Sequence, residues 1–500
     1  MINYCFFMTN QPHWFKVAKK LYSNNIAKPI LWLGDDIHYD KAKLEFGDDA
    51  VVKMQDFVHR PYKFKEINYS GNDSDFLVSE NYIRAKDKCL KMMDRLDLNS
   101  SFNRLDKEVY FHNIILWALN KFNNNKPDVL IVVENPHSHA QYIIYEICKF
   151  YEIPIFKFNS WMPAPLVFLK KDDSEYIIPK PKKYINSKYD LLINNDINKF
   201  IDDIIYKREN FEMFYMKIQK KNRIISSRIK SYITDGWKND FNDIKHNSYM
   251  LINSLYNPIN PYRFNFFIRK YIRLKRVTNL RKNEKKAISH ISIDKQFVYF
   301  PLHFEPERTT NPDGGIFHDQ FIALIKLRDF VPKNIDIIVK EHPSQFFMAD
   351  KGSKGRSPLF YNLIKNIRGV KLIDSNYNSI ELIIKSNFLA TISGSVALEG
   401  ALLGKKAIIF GDTWFNNCPN IFSWNNGINY SSFIDKELLN HHHIKVFLQN
   451  LMKGYSIPSF QNLTKRTYFK KFNNMEFDYN QTKNLYYLLE DFFLGKLFLK

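Results

Sequence analysis

Three short runs decide how this chain is read: VYFPLHFEPERTT (298–310), DIIVKEHP (336–343) and TISGSVALEGALLGKKAIIFGD (391–412). Each begins as apolar, β-forming residues and stops abruptly at polar residues, Gly or Pro. Strands buried on both faces of a parallel sheet read as continuous apolar runs of this kind. Open α/β sheets bind ligands beyond the carboxyl ends of their strands. The three runs therefore predict one parallel sheet with three clusters of functional groups along one rim.

The chemistry of each cluster points to an anion. In the second run Lys340 and His342 leave the strand end together, and Pro343 stops it. An ammonium and an imidazole both donate to phosphate oxygens. In the third run a strand feeds Ser393-Gly394-Ser395 and a helix begins at about Ser395. Ser is a good N-cap, free N–H groups at a helix start attract an anion, and Gly394 lets the backbone approach a ligand closely. Glu399 lies one turn further on the same face, placed to accept from ribose hydroxyls. In the first run His303, Glu305 and Glu307 alternate, so an extended segment sets them on one side. Each cluster alone also fits a plainer reading: a surface ion pair, a capped junction, a solvated loop. Their order in one sheet is what raises them above it.

Working outward, residues 293–430 form an α/β domain with strands at 297–302, 336–340, 370–373, 388–392 and 407–410. Residues 1–185 form another, with strands at 2–8, 29–33, 129–133 and 154–158 and a helix at 140–151. Glu134, Asn135 and His137 occupy the turn of its βαβ unit, and Asp35 and Asp36 end another strand. Between the domains, residues 186–292 read as a helical, densely charged insert. There Phe264, Phe267, Ile268, Tyr271 and Ile272 recur at helical spacing among Arg and Lys. Such a helix either packs on the protein with a solvated basic face or lies on an anionic membrane or lipid-linked diphosphate; the first reading is preferred. Residues 431–500 read as two C-terminal helices, at 436–453 and 481–494.

Bulk properties narrow the class. Five hundred residues call for two or three domains. The net charge of +21 favours anionic partners without choosing among them. Four scattered cysteines, Cys5, Cys89, Cys148 and Cys418, form no pairing or metal pattern, which suits a reducing compartment. The N-terminus lacks the basic and apolar regions of a signal peptide, and no run approaches a membrane span, so a cytoplasmic or peripheral protein is expected. His441-His442-His443 has no further ligand set beside it and reads as surface, so no metal is expected. No RNA-binding pattern accompanies the charge, and no nucleic acid is expected.

Taken together, the three runs resemble the capsule polysaccharide synthesis family, which includes bacterial β-Kdo transferases. The resemblance rests on Pro301-Leu302 with Pro306-Glu307 and Thr309, on Lys340 to Pro343, on Ser393 to Ser395 with Glu399, and on Gly404-Lys405 and Phe410-Gly411. It covers residues 297–415. It implies a GT-B fold, two Rossmann-like domains facing across a cleft, with no obligatory metal and no cofactor. It also implies a CMP-activated donor of the Kdo or sialic-acid-like type and a polysaccharide or lipid-linked glycan acceptor. By the same resemblance His342 contacts the donor phosphate with Ser393 and Ser395 beside it, and Glu307 and Glu399 sit near the ribose or reacting centre; His303, Lys340, Pro343 and Gly394 complete the residues expected to hold the donor, with Glu307 also a catalytic candidate. The family commonly has Gln before its Pro-Glu pair where this chain has His303, Phe304 and Glu305, so the resemblance leaves the sugar open. A base or nucleophile is expected from the opposite domain, with Glu134 and His137 as candidates. Rival readings are a related enzyme using CDP-glycerol or a UDP-sugar, and a basic RNA- or membrane-binding scaffold.

Overall fold

The computed structural model describes residues 1–7, 12–34, 38–53, 74–97, 102–133, 135–160, 166–186, 188–207, 266–291, 293–306, 309–347, 349–458 and 474–495. Two compact units emerge: Met1–Met92, Arg104–Ile201 and Lys445–Lys500 in the first, Met93–Asn103 and Asp202–Ile444 in the second.

The first unit starts with β1 (Ile2–Phe7), α1 (Pro12–Ser23), β2 (Ala27–Gly34), α2 (Tyr39–Phe46) and β3 (Val51–Lys53). Helices α3 (Glu80–Leu96) and α4 (Arg104–Asn124) lead to β4 (Val129–Val132), α5 (His139–Phe150), β5 (Ile155–Ser160), β6 (Leu166–Lys171) and α6 (Lys188–Tyr206). Every residue of β4 is buried, as a strand covered on both faces requires.

The second unit opens with α7 (Phe266–Ala287) and β7 (Phe297–Pro301). It continues through α8 (Gln320–Phe330), β8 (Asp336–Lys340), α9 (Ser344–Phe347), α10 (Ala349–Gly355), α11 (Phe360–Lys365), β9 (Val370–Ile373) and α12 (Ser379–Lys385). After β10 (Phe388–Thr391) come α13 (Val396–Leu402), β11 (Ala407–Ile409), β12 (Ile421–Ser423) and α14 (Tyr430–Asp435). The helix expected at 436–453 is α15 (His441–Gly454), which starts five residues later than expected. The chain then returns to the first unit through β13 (Ile457–Pro458) and α16 (Asn474–Phe493). Helix α16 packs along α1, with Lys20 Nζ 4.2 Å from the centre of the Tyr486 ring.

Both sheets are Rossmann-like, and their strand orders match. The first runs β13-β6-β5-β4-β1-β2-β3, parallel from β3 to β5 and antiparallel at β6 and β13. The second runs β12-β11-β10-β7-β8-β9 and is parallel throughout. In each, the unit's first strand lies between its second and its fourth, so the order reverses there. Helices leave opposite faces at that reversal and open a crevice beyond the carboxyl ends. It falls between β1 and β4 in the first sheet and between β7 and β10 in the second.

Candidate active site

The crevice of the second sheet is built from the ends of three neighbouring strands. The segment after β7 supplies His303, the segment after β8 supplies His342, and the turn after β10 supplies Ser393, Gly394 and Ser395. His303 Nε2 lies 2.9 Å from Thr391 Oγ1 and accepts from the Ser393 N–H at 3.4 Å. With Nε2 accepting, Nδ1 carries the ring proton. Its backbone is held too: the His303 N–H donates to Gln320 Oε1 at 2.8 Å, and Arg356 donates to its carbonyl at 2.9 Å. Burial, with His342 and then Arg356 nearby, pushes the His303 pKa down to about 3, so the ring is neutral at pH 7.

His342 holds the opposite tautomer. Its Nδ1 accepts from the Ser344 N–H at 3.2 Å, which leaves the proton on Nε2. Pro343 turns the chain so that this contact closes, and Gln345 N–H donates back to the His342 carbonyl at 2.9 Å. Burial, then the cations Lys340 and Arg356, lower its pKa to about 4. Each histidine therefore presents one N–H, Nδ1–H of His303 and Nε2–H of His342, and neither meets a partner among the described residues.

The Ser-Gly-Ser turn adds backbone donors. The N–H groups of Gly394, Ser395 and Val396 meet no acceptor among the described residues. Gly394 is required by space: a Cβ there falls 2.9 Å from Thr391 Oγ1 and 3.4 Å from His303 Cε1. Ser395 does not cap α13 with its side chain as expected. Its backbone is already helical (φ −57°, ψ −15°) rather than extended as a capping residue is, and its Oγ donates to Glu399 Oε1 at 3.2 Å. Burial raises the Glu399 pKa to about 7, against the lowering effects of Ser395 and Lys340. Ser393 Oγ donates to the Thr309 carbonyl and ties this turn to the loop after β7.

Lys340 is buried, and its ammonium donates to the Tyr377 carbonyl at 2.8 Å and to Ser379 Oγ. It pins β8 to the start of α12 and faces Glu399 electrostatically. Glu341 is no surface partner of Lys340. It is fully buried and grips Arg356 through both oxygens, 2.9 Å to Nε and 3.2 Å to the terminal nitrogen, while Tyr361 donates to it at 2.9 Å. A carboxylate so placed is held by charge-assisted bonds and shapes the strand end. Its backbone neighbour follows, since the His342 N–H donates to Glu341 Oε1 at 2.8 Å.

The segment after β7 does not stay extended. Glu305 precedes a cis bond to Pro306, and its carboxylate accepts from Gln320 Nε2 at 2.7 Å. Gln345, also fully buried, brackets the Glu305 backbone with two bonds of 2.8 Å. Glu307 lies outside the described residues, as do Glu134, Asp35 and Asp36. His137 follows β4 in the first unit, half-buried, with Nδ1 3.0 Å from the Asn135 carbonyl. Arg356, Gln320 and Gln345 were not singled out in the sequence; they sit far along the chain from the groups they fix.

The crevice thus gathers neutral imidazole N–H groups, backbone N–H groups that meet no acceptor among the described residues, and a carboxyl group close to half-ionised at pH 7. That set suits a phosphate with a hydroxylated sugar beside it. No protein-family model matches the chain, and no curated protein does. Among solved structures it is similar to KpsC, a β-Kdo 2,4 transferase of Thermosulfurimonas dismutans, at 12% identity and TM-score 0.25, over 64% of this chain and 79% of that one. It is similar to the UDP-GlcNAc 2-epimerase of Methanocaldococcus jannaschii at 10% identity and TM-score 0.23, over 90% and 98%. It is also similar to the Neisseria meningitidis UDP-GlcNAc 2-epimerase bound to UDP-GlcNAc, at 12% identity and TM-score 0.21, over the whole of both chains. Likenesses this distant say nothing of the crevice itself.

Proposed function

We propose that the protein is a glycosyltransferase that moves an ulosonic or nonulosonic acid sugar, Kdo-like or sialic-acid-like, from a CMP-activated donor to a surface polysaccharide or lipid-linked glycan. The observation that carries this reading is the pair of neutral histidines with opposite tautomers, together with the N–H groups of residues 394–396, which meet no acceptor among the described residues. As the bond to the sugar breaks, the phosphate passes from diester to monoester and gains charge. N–H groups already aimed at that position stabilise the gain without reorganising, in the place a metal would otherwise take. Glu399, when ionised, accepts from the ribose hydroxyls.

Lys340 and Pro343 then act on the donor through the strand end, fixing where His342 stands. We assign removal of the acceptor proton to Glu134 and His137, and a place near the reacting centre to Glu307. The acceptor is met in the cytoplasm, at the inner face of the membrane; no helix among the described residues is long and apolar enough to cross it.

A donor screen tests the reading. Purified protein is given CMP-Kdo, a CMP-nonulosonate, CDP-glycerol and UDP-GlcNAc, and nucleotide release is followed with a glycan acceptor. Release of CMP from one of the first two is expected. Turnover of CDP-glycerol or UDP-GlcNAc alone overturns it.

A further inference from the structure

Helix α7 presents apolar groups on two opposite sides. Its C-terminal half turns Val277, Leu280, Glu284 and Ala287 inward, at spacings that make one stripe. Leu280 and Ala287 join the core of the second unit, and the helix packs on α9, α10 and α11. Three residues just before that stripe face the other way. Tyr271 is 59% exposed, Ile272 55% and Leu274 48%. At one turn per 3.6 residues, these three lie roughly 100–160° from the buried stripe. Packing on the described residues of the second unit does not explain them.

Charge on the same helix is one-sided. It carries nine Lys and Arg and a single carboxylate, Glu284. That carboxylate is buried and accepts from the Ser375 N–H at 3.0 Å. Lys275, Lys282, Lys285 and Lys286 are all exposed, and helical spacing sets them on the side of the exposed apolar group. The outward side therefore reads as an apolar end followed by a ladder of lysines with no acid among them. A nucleic acid offers partners for the lysines but leaves Ile272 and Leu274 in water. A lipid surface meets both, with apolar groups below and phosphates above.

We propose that the outward face of α7 docks the protein on an anionic membrane surface. Tyr271, Ile272 and Leu274 enter the boundary between headgroups and acyl chains. The lysines meet lipid phosphates, Lys275 by running its stem along the apolar groups and lifting its ammonium to the phosphate level. The face sharpens the membrane-side location given above, yet its test does not depend on which nucleotide the second unit holds.

The test is cosedimentation of the full-length protein with phosphatidylcholine vesicles, with and without phosphatidylglycerol. Binding is expected only with the anionic lipid, is expected to weaken as salt rises, and is expected to survive inorganic phosphate at matched ionic strength. Ile272→Ser with Leu274→Ser lowers partitioning by about tenfold or more. Lys282→Gln with Lys285→Gln lowers it by about thirtyfold. All four positions are exposed or partly exposed to solvent, so melting temperature is expected to stay put and serves as the control. Equal binding to neutral and anionic vesicles overturns the proposal. So does a serine pair that binds as the parent protein does, or displacement by single-stranded RNA with the serine pair unaffected.

Discussion

In the first unit Asp172 sits between Lys157 at 3.0 Å and Lys149 at 3.3 Å and accepts from Tyr145. Nearby Glu146 accepts from Tyr142 at 2.6 Å and from Asn81 at 3.0 Å. In the second unit the crevice leaves His303, His342 and the turn at 394–396 with donors that meet no acceptor among the described residues. The two sheets share one order over six strands, so strand order alone does not set this difference. Buried carboxylates whose bonds close within the unit hold a scaffold together. Donors left open at a strand-order reversal are what an anionic ligand would satisfy. Glu341 and Arg356 belong to the first kind though they stand beside the second: their closed pair fixes the backbone of both histidines.

The comparison can be broken most sharply by separating chemistry from binding. Glu134→Gln and His137→Ala in the first unit are expected to lower sugar transfer by about a hundredfold to ten-thousandfold while CMP binding survives. Turnover unchanged in both removes the assignment. Next in size is the scaffold pair. Glu341→Ala leaves the buried Arg356 charge without its partner and is expected to cost about 3–5 kcal/mol in urea unfolding. A loss below about 1 kcal/mol would place that pair in a far wetter setting than the bonds imply.

Acid sharpens the same contrast from the first unit. Two lysines outweigh burial and hold Asp172 at about 2, below its ordinary 3.8. A depressed carboxylate pKa stabilises the fold above the unfolded value, so this contribution is present above about pH 3.8 and fades as pH falls through about 2. Asp172→Asn is expected to flatten that part of the stability–pH curve; an unchanged curve contradicts the pairing.

Smaller again is Gly394→Ala, whose new Cβ presses on Thr391 Oγ1. It is expected to weaken CMP binding by about tenfold, with a stability change near 1 kcal/mol. The smallest effect concerns Glu399, whose pKa stands raised to about 7. The folded state holds this proton more tightly than the unfolded chain, so stability falls as pH rises from about 4.5 to about 7. Glu399→Gln removes that loss: its melting temperature should exceed the parent's at pH 9 and match it below about pH 4.5. A gain at low pH instead would contradict the burial of the carboxyl.

The runs around β7, β8 and β10 were legible because central parallel strands are apolar throughout and end at polar residues. Strands β3, β12 and β13 were not, being two or three residues long at or near sheet edges, where apolar patterning is too short to register. Nor was the return of β13 and α16 to the first unit, since pairing between distant segments leaves no local mark. Within the crevice the residue types were readable and the bonding was not. Ser395 looked like a side-chain cap, but its hydroxyl donates to Glu399, and nothing in the sequence told which nitrogen of His303 accepts. Arg356 left no signal because it answers a carboxylate fifteen positions away.

Calorimetric titration of CMP into the protein tests the central claim most directly. Binding is expected, weakened by about tenfold or more in His342→Ala and unaltered in His137→Ala, which lies in the other unit. An absence of binding, or equal affinity in His342→Ala, would contradict a phosphate site on the rim of the second sheet.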